Sequence, residues 1–193
     1  GTLGDMGVHI FDTPCTALEL DVPRTIKTSC RKPTGYGHPE QNVVSYKFPG
    51  TRYTKKTLKW VWYDGIEAPQ DHKDLKLPGG EKLPEQGAVF VGETDRMLLP
   101  HWDYPKLIVD DTYQDIVFPE LSDDDHYHQF VDACLGRASC SAPFSYASRL
   151  TEAILLGVIA NRFPNKTLHW DAETARFEED EANLILDTAY REF

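Results

Sequence analysis

The 193 residues carry 20 Lys plus Arg against 31 Asp plus Glu, a net charge of −11, with 40% hydrophobic residues. That is ample material for a core in one domain of generous size, and an acidic chain without a basic cluster lacks the Lys and Arg that nucleic acid or an anionic membrane requires. No run approaches the roughly 18 apolar residues of a membrane span; the longest, Ala153 to Ala160, is interrupted by Gly157, and the chain reads as soluble.

The start, Gly1-Thr2-Leu3-Gly4-Asp5, has no Met, no basic segment and no apolar leader, and reads as the cut edge of a longer polypeptide. From Gly4 to Leu20 the spacing predicts an amphipathic helix. At about 100° per residue, Asp5, His9, Asp12 and Thr16 fall in one narrow sector and Val8, Phe11, Cys15 and Leu18 on another. Asp5 suits an N-cap or first-turn position, where unpaired N–H groups and the helix dipole favour a carboxylate. Gly4 and Gly7 allow other backbone or a ligand to come close. Three readings of the polar stripe stay open: a solvated helix face; a metal pair, which would need a third ligand that no H-E-x-x-H or cysteine cluster supplies; and acid–base chemistry, with His9 moving a proton and Asp5 orienting ring or substrate.

Beyond Pro23, Arg24 to Arg31 reads as β-rich and residues 32 to 41, with Pro33, Gly35, Gly37 and Pro39, as a loop. Asn42 to Phe48 alternates as a strand, and Thr57 to Tyr63 does so more clearly, with Leu58, Trp60 and Trp62 on one side. Ile66 to Gln86 is polar and long, and its composition favours a mobile loop. Gly87 to Gly92 and Arg96 to Leu99 read as a hairpin, followed by the loop His101-Trp102-Asp103-Tyr104 and a strand at Lys106 to Val109. Trp, Tyr and His together in a loop often line pockets, and an aromatic plug over a sheet edge is the equal alternative; His101 and Trp102 are carried forward as candidate substrate contacts.

From Asp123 the pattern becomes helical. Ser122 with Asp125 starts one helix like a capping box, with Phe130, Ala133 and Cys134 as its apolar stripe and Gly136 as its stop. His126 and His128, two apart, point to different faces and cannot both serve one site; His126 is kept as a candidate contact. Pro143 opens the longest helix, running to Ala160; Leu168-His169-Trp170 is a short strand, and Asp180 to Phe193 a last helical segment. The cysteines at 15, 30, 134 and 140 form no C-x-x-C and no framework. Cys15 and Cys134 are expected as buried thiols on apolar helix faces; Cys30 and Cys140 stay open, and with them the redox compartment.

One helix, then strands, then helices is the order of an α+β domain: an open, mainly antiparallel sheet with helices packed on one face. Trp and Tyr are expected to alternate on the other face, leaving an apolar surface for a second copy, hence a homo-oligomer through the sheet.

The opening run Gly4-Asp5-Met6-Gly7-Val8-His9-Ile10-Phe11-Asp12 resembles the helix that begins the C-terminal domain in the glucose-fructose oxidoreductase, inositol dehydrogenase and rhizopine-catabolism (Gfo/Idh/MocA) family. The stretches His126 to Cys134, Ser141 to Tyr146 and Leu168 to Asp171 are similar to its bacterial branch, so the resemblance spans nearly the whole chain. It implies a substrate-binding and oligomerisation domain over residues 1–193, whose N-terminal Rossmann domain, holding NAD or NADP, is missing. It further implies hydride transfer between nicotinamide and a hydroxyl carbon of a sugar or polyol. By the same resemblance Asp5 and His9 face the substrate, His9 as acid–base group or anchor. Asp12 is carried forward as a candidate substrate contact, with a helix-packing or capping role the favoured alternative. The chain has neither a Glu-Lys-Pro motif nor G-x-G-x-x-G after a strand, so by itself it is expected to bind no dinucleotide, to hold no metal and to be inactive. Two alternatives stand beside this: a non-catalytic carbohydrate-binding or scaffolding module, and a glycoside hydrolase dependent on NAD or on a metal.

Overall fold

A computed structural model of the chain describes residues 1–65, 68–69, 71–120 and 125–187. The expected cap at Ser122, the start of the loop at Ile66 and the final helical stretch beyond residue 187 therefore fall wholly or partly outside the described residues. The fold is α+β with antiparallel strand pairing throughout the described residues, as expected, but the strands form two open sheets rather than one. The chain divides into two compact units, residues 1–69 with 149–193, and residues 70–148.

The first unit begins with α1 (Thr2–Ala17). Its five-stranded sheet follows the order β3-β2-β1-β8-β9, from β1 (Thr25–Cys30), β2 (Asn42–Pro49), β3 (Thr57–Asp64), β8 (Thr167–Asp171) and β9 (Arg176–Phe177). Alternation decides which side is buried. Ile26 and Thr28, then Val44, Tyr46 and Phe48, then Trp62 and Leu168 all lie inward and are buried. Phe11 of α1 sits on this face, its ring centroid 4.2 Å from that of Trp60, 5.7 Å from Tyr46 and 5.8 Å from Trp62.

The aromatic face is therefore the one the helix covers, which corrects the expectation of Trp and Tyr alternating on the open side. Burying two Trp and a Tyr removes far more apolar area from water than burying Lys and Ser would, so the helix packs there. The opposite face carries exposed Lys27, Ser45, Lys47, Lys59 and Val61. An apolar surface needing cover, the reason offered for a homo-oligomer, is not what this face presents.

Helix α3 (Phe144–Ala160) buries Leu150, Ala153, Ile154, Leu156, Gly157 and Ala160, and from Arg149 onward it belongs to this unit. It crosses α1 at glycines: a Cβ on Gly7 would lie 2.9 Å from Ile154 Cγ2, and one on Gly157 only 1.9 Å from the Tyr46 hydroxyl oxygen. The buried stripe of α1 is Leu3, Gly7, Ile10, Phe11, Pro14 and Cys15, so Val8, placed by periodicity on the apolar side, is 44% exposed. The helix stops at Ala17 rather than Leu20 because Glu19 takes a left-handed backbone, φ 51°. Helix α4 (Asp180–Leu186) closes the unit, with Asn183 bonding both N–H and C=O of Phe177 at 2.8 Å.

The second unit holds a meander of β4 (Gly87–Val91), β5 (Arg96–Pro100), β6 (Lys106–Val109) and β7 (Thr112–Gln114). The hairpin is as expected; β7, three residues long, carries too little pattern to be read from sequence. Leu77, Leu98 and Ile108 make its small core, with Leu83, Val89 and Tyr113 packed against them. Leu77 lies inside the stretch expected to be mobile, and the carbonyl of Lys76 accepts a hydrogen bond from the Arg96 guanidinium. One buried leucine and one bonded carbonyl anchor a segment whose average composition is that of a loop.

Helix α2 (His126–Cys134) is capped by Asp125, whose carboxylate accepts from the N–H groups of Tyr127 and His128 at 2.9 and 3.2 Å. None of its residues is buried, and Cys134 is exposed, against expectation; an amphipathic stripe marks a face able to pack, not one that has packed. Cys15 is buried as expected, and burial, with the charge of Asp12 nearby, pushes its thiol up to about 12. In the native chain a thiol reagent such as 5,5′-dithiobis(2-nitrobenzoate) should accordingly modify Cys134 rapidly and Cys15 only after unfolding. Mass mapping of labelled peptides reads this, and early label at Cys15 would contradict the packing of α1.

Candidate functional site

Helix α1 places the four-apart pair Asp5 and His9 one turn apart on its outer surface, with Cβ atoms about 5–6 Å from one another by helix geometry. Both are exposed, as are Asp12 and Thr16 further along the same stripe. Asp5 stands in the first turn, where its own N–H bonds the Gly1 carbonyl at 3.2 Å and the dipole favours a carboxylate; Gly1, not Asp5, occupies the cap position. His9, Asp12 and Thr16 each engage in contacts with other groups. What fixes the stripe is the opposite side of the helix, where Leu3, Ile10 and Phe11 are 1%, 8% and 0% exposed. The pair is thus mounted on a rigid element and faces outward, an arrangement that can offer one carboxylate acceptor and one imidazole to the same polar molecule.

His101, Trp102 and His126 belong to the second unit. His101 and Trp102 sit in the turn after β5 with ring centroids 4.4 Å apart, and Trp102 is 88% exposed. His126 lies at the start of α2, its ring 4.0 Å from Tyr127, while His128 Nδ1 lies 2.9 Å from a carboxylate oxygen of Asp125. The two histidines have different partners, in keeping with their spacing. The structure therefore brings Asp5, His9 and Asp12 together on one helix and His101 together with Trp102.

Among the described residues, other side chains line a concavity in each unit. In the first unit a narrow cleft lies between Arg31, His38, Asn161 and Arg162. Arg31 is already committed there, gripping Glu40 through two nitrogens at 2.6 and 2.8 Å, which holds the Glu40 carboxyl down at about 2. In the second unit a larger cavity opens beside β6 and β7, with Glu81, Tyr104, Tyr113 and Phe118 in its wall. Sequence reading passed over it: Glu81 sits in the stretch read as mobile, Tyr113 on the unread strand β7, and only the aromatic loop through Tyr104 gave a signal.

Among the described residues no group of three or more His, Cys, Asp and Glu could hold a metal ion. Nor do they fit a dinucleotide. Among the described residues every strand pair is antiparallel, so they contain no βαβ turn whose glycines and helix N-terminus could cradle a pyrophosphate.

No protein-family model and no curated protein sequence matches the chain. Among solved structures, it is similar to an NAD-binding protein from Listeria innocua, with a TM-score of 0.55 and 14% sequence identity over 88% of this chain. The match takes in 47% of that protein, so the chain spans about half the length of the structure it resembles. At this identity the likeness is one of fold.

Proposed function

We propose that the chain is the substrate-binding half of an oxidoreductase that uses NAD or NADP to oxidise or reduce a hydroxyl carbon of a sugar or polyol, as in the Gfo/Idh/MocA family. The single observation that carries this reading is the fold likeness to about half of an NAD-binding protein, taken with Asp5 and His9 side by side on the outer face of α1. Because the described residues do not fit the dinucleotide, the proposal assigns the cofactor to a Rossmann domain of the complete protein.

The roles proposed for this chain's own residues follow from their chemistry. An imidazole can both accept and donate a proton, so that of His9 can take the proton of the reacting hydroxyl and return it in the reverse direction. Asp5 accepts a hydrogen bond from a neighbouring hydroxyl and orients the ring, which a neutral polyol offers in excess. Asp12 extends the acceptor row by two turns from Asp5. His101, Trp102 and His126 are proposed only as further substrate contacts, with aromatic surface as their chief contribution. Assembly through the polar outer face of the five-stranded sheet is likewise a proposal, and one that hydrogen bonds rather than apolar burial would have to carry.

In the complete protein, assayed with sugars and polyols against both nicotinamide cofactors, His9→Ala should lower kcat by about 10²–10⁴-fold, the usual worth of a positioned acid–base group. Asp5→Asn should act mainly on KM. Unchanged turnover in His9→Ala would favour instead a non-catalytic carbohydrate-binding module.

A further inference from the structure

The cavity of the second unit has a volume of about 400 Å³, within the range of about 300–1,000 Å³ typical of small-molecule sites. Its wall combines three kinds of group. Tyr104 and Phe118 stack at 4.9 Å between centroids and 28° between planes, so the Tyr104 ring is supported on one side while the residue stays 66% exposed. The Tyr113 hydroxyl donates to Glu81 Oε2 at 2.8 Å, and Oε1 has no partner among the described residues. Lys106 and Asp115 complete the rim, with Lys106 held by Asp103 at 3.1 Å.

Burial, reinforced by the hydrogen bond and charge of Glu81, pushes the Tyr113 phenol up to about 12. The phenol therefore stays a donor throughout the physiological range.

From this geometry we infer that the cavity is a carbohydrate subsite that takes a neutral pyranose or cyclitol ring. An aromatic plane meets the C–H face of such a ring, and the Glu81 carboxylate, held by Tyr113, accepts from its hydroxyls. A phosphate or carboxylate ligand is disfavoured because Glu81 and Asp115 would repel it, and a simple cation because Lys106 stands on the same rim. A purely apolar ligand would leave the carboxylates desolvated without partners. The inference does not rest on the oxidoreductase reading, since Asp5 and His9 take no part in it.

The test uses the 193-residue chain and three probes, methyl β-D-glucopyranoside, D-xylose and myo-inositol, followed by saturation-transfer NMR and by shifts of the tyrosine ring resonances. At least one probe should receive saturation at millimolar concentration and move the Tyr104 and Tyr113 signals. Tyr104→Ala and Glu81→Gln should each weaken its binding by about tenfold or more, the worth of one stacking or charged contact, while Tyr104→Phe keeps it. Circular dichroism establishes that the variants fold, and the exposed Tyr104 is a safe position for that purpose. Silence from all three probes, or binding unchanged in Tyr104→Ala, would overturn the assignment, as would adenosine occupying the cavity while the sugars do not.

Discussion

Phe11→Ala is expected to destabilise the first unit by about 3–5 kcal/mol, the range for emptying a large aromatic site in a core that cannot collapse. Phe11 is 0% exposed and touches three rings of the sheet at once, with Trp60 the closest at 4.2 Å and tilted by 33°. Its removal forfeits its own transfer energy and the pairings with Trp60, Tyr46 and Trp62, which are worth about 0.5–1.5 kcal/mol each beyond area. Against a total of about 5–15 kcal/mol for a domain, the loss leaves the unit close to unfolding at ambient temperature. Equilibrium urea unfolding followed by tryptophan fluorescence reports on it directly, because Trp60 and Trp62 lie under the missing ring. Phe11→Leu should recover a large part of the stability. A loss below about 1 kcal/mol would mean that α1 is not docked on the sheet, and the proposed setting of Asp5 and His9 would go with it.

The second large effect is a clash and its relief. Gly157→Ala places a Cβ 1.9 Å from the Tyr46 hydroxyl oxygen and 2.8 Å from Leu3 Cδ2, atoms that are themselves fully buried. Alanine would ordinarily gain about 1 kcal/mol over glycine inside a helix. Here overpacking, which costs about 1–3 kcal/mol and more at such separations, outweighs that gain, so the net change is a destabilisation of roughly 2 kcal/mol. The Tyr46 hydroxyl has no hydrogen-bond partner among the described residues, and its burial pushes the phenol's titration far upward. Tyr46→Phe removes an unpaired buried polar group and should be neutral or stabilising by about 1 kcal/mol. In the double variant the space left by the hydroxyl takes up part of the new methyl, so the two changes should couple favourably by about 1 kcal/mol or more. The relief is partial because the Tyr46 Cζ, which phenylalanine keeps, would also lie 2.8 Å from the Cβ. Strict additivity in a four-corner denaturation cycle would show that α3 does not cross the sheet at this point.

Local sequence determined much of this protein. Alternation at Asn42 to Phe48 and at Thr57 to Tyr63 is a period-2 signal that survives into the structure because β2 and β3 pair along their whole length, from Asn42 opposite Asp64 to Pro49 opposite Thr57. The helical stripe of α1 and the close approach allowed by Gly7 were legible for the same reason: each depends on residues within a turn or two of one another. The start of α2 was read three residues early, since Asp125, expected inside a capping box begun at Ser122, is itself the N-cap. Strand β9 was not legible, since two residues, Arg176 and Phe177, hold no period, and only pairing with Trp170 and Asp171 defines them. Cys134 was misplaced because a stripe predicts what could be covered and says nothing of whether anything covers it.

What the tertiary structure alone decided is which side of each element meets the core. Sequence put Trp60 and Trp62 on one face of a strand, and the expectation that this face lay open was wrong; Phe11, arriving from the start of the chain, packs against both rings and makes it the covered one. The same holds for Leu77, which turns an apparently loose stretch into part of a small core with Leu98 and Ile108, and for the cavity wall, where Glu81, Tyr104 and Tyr113 meet across about thirty residues of chain. Contacts so far apart in sequence leave no periodicity, because the pattern of a segment records its own geometry and not the identity of its neighbour.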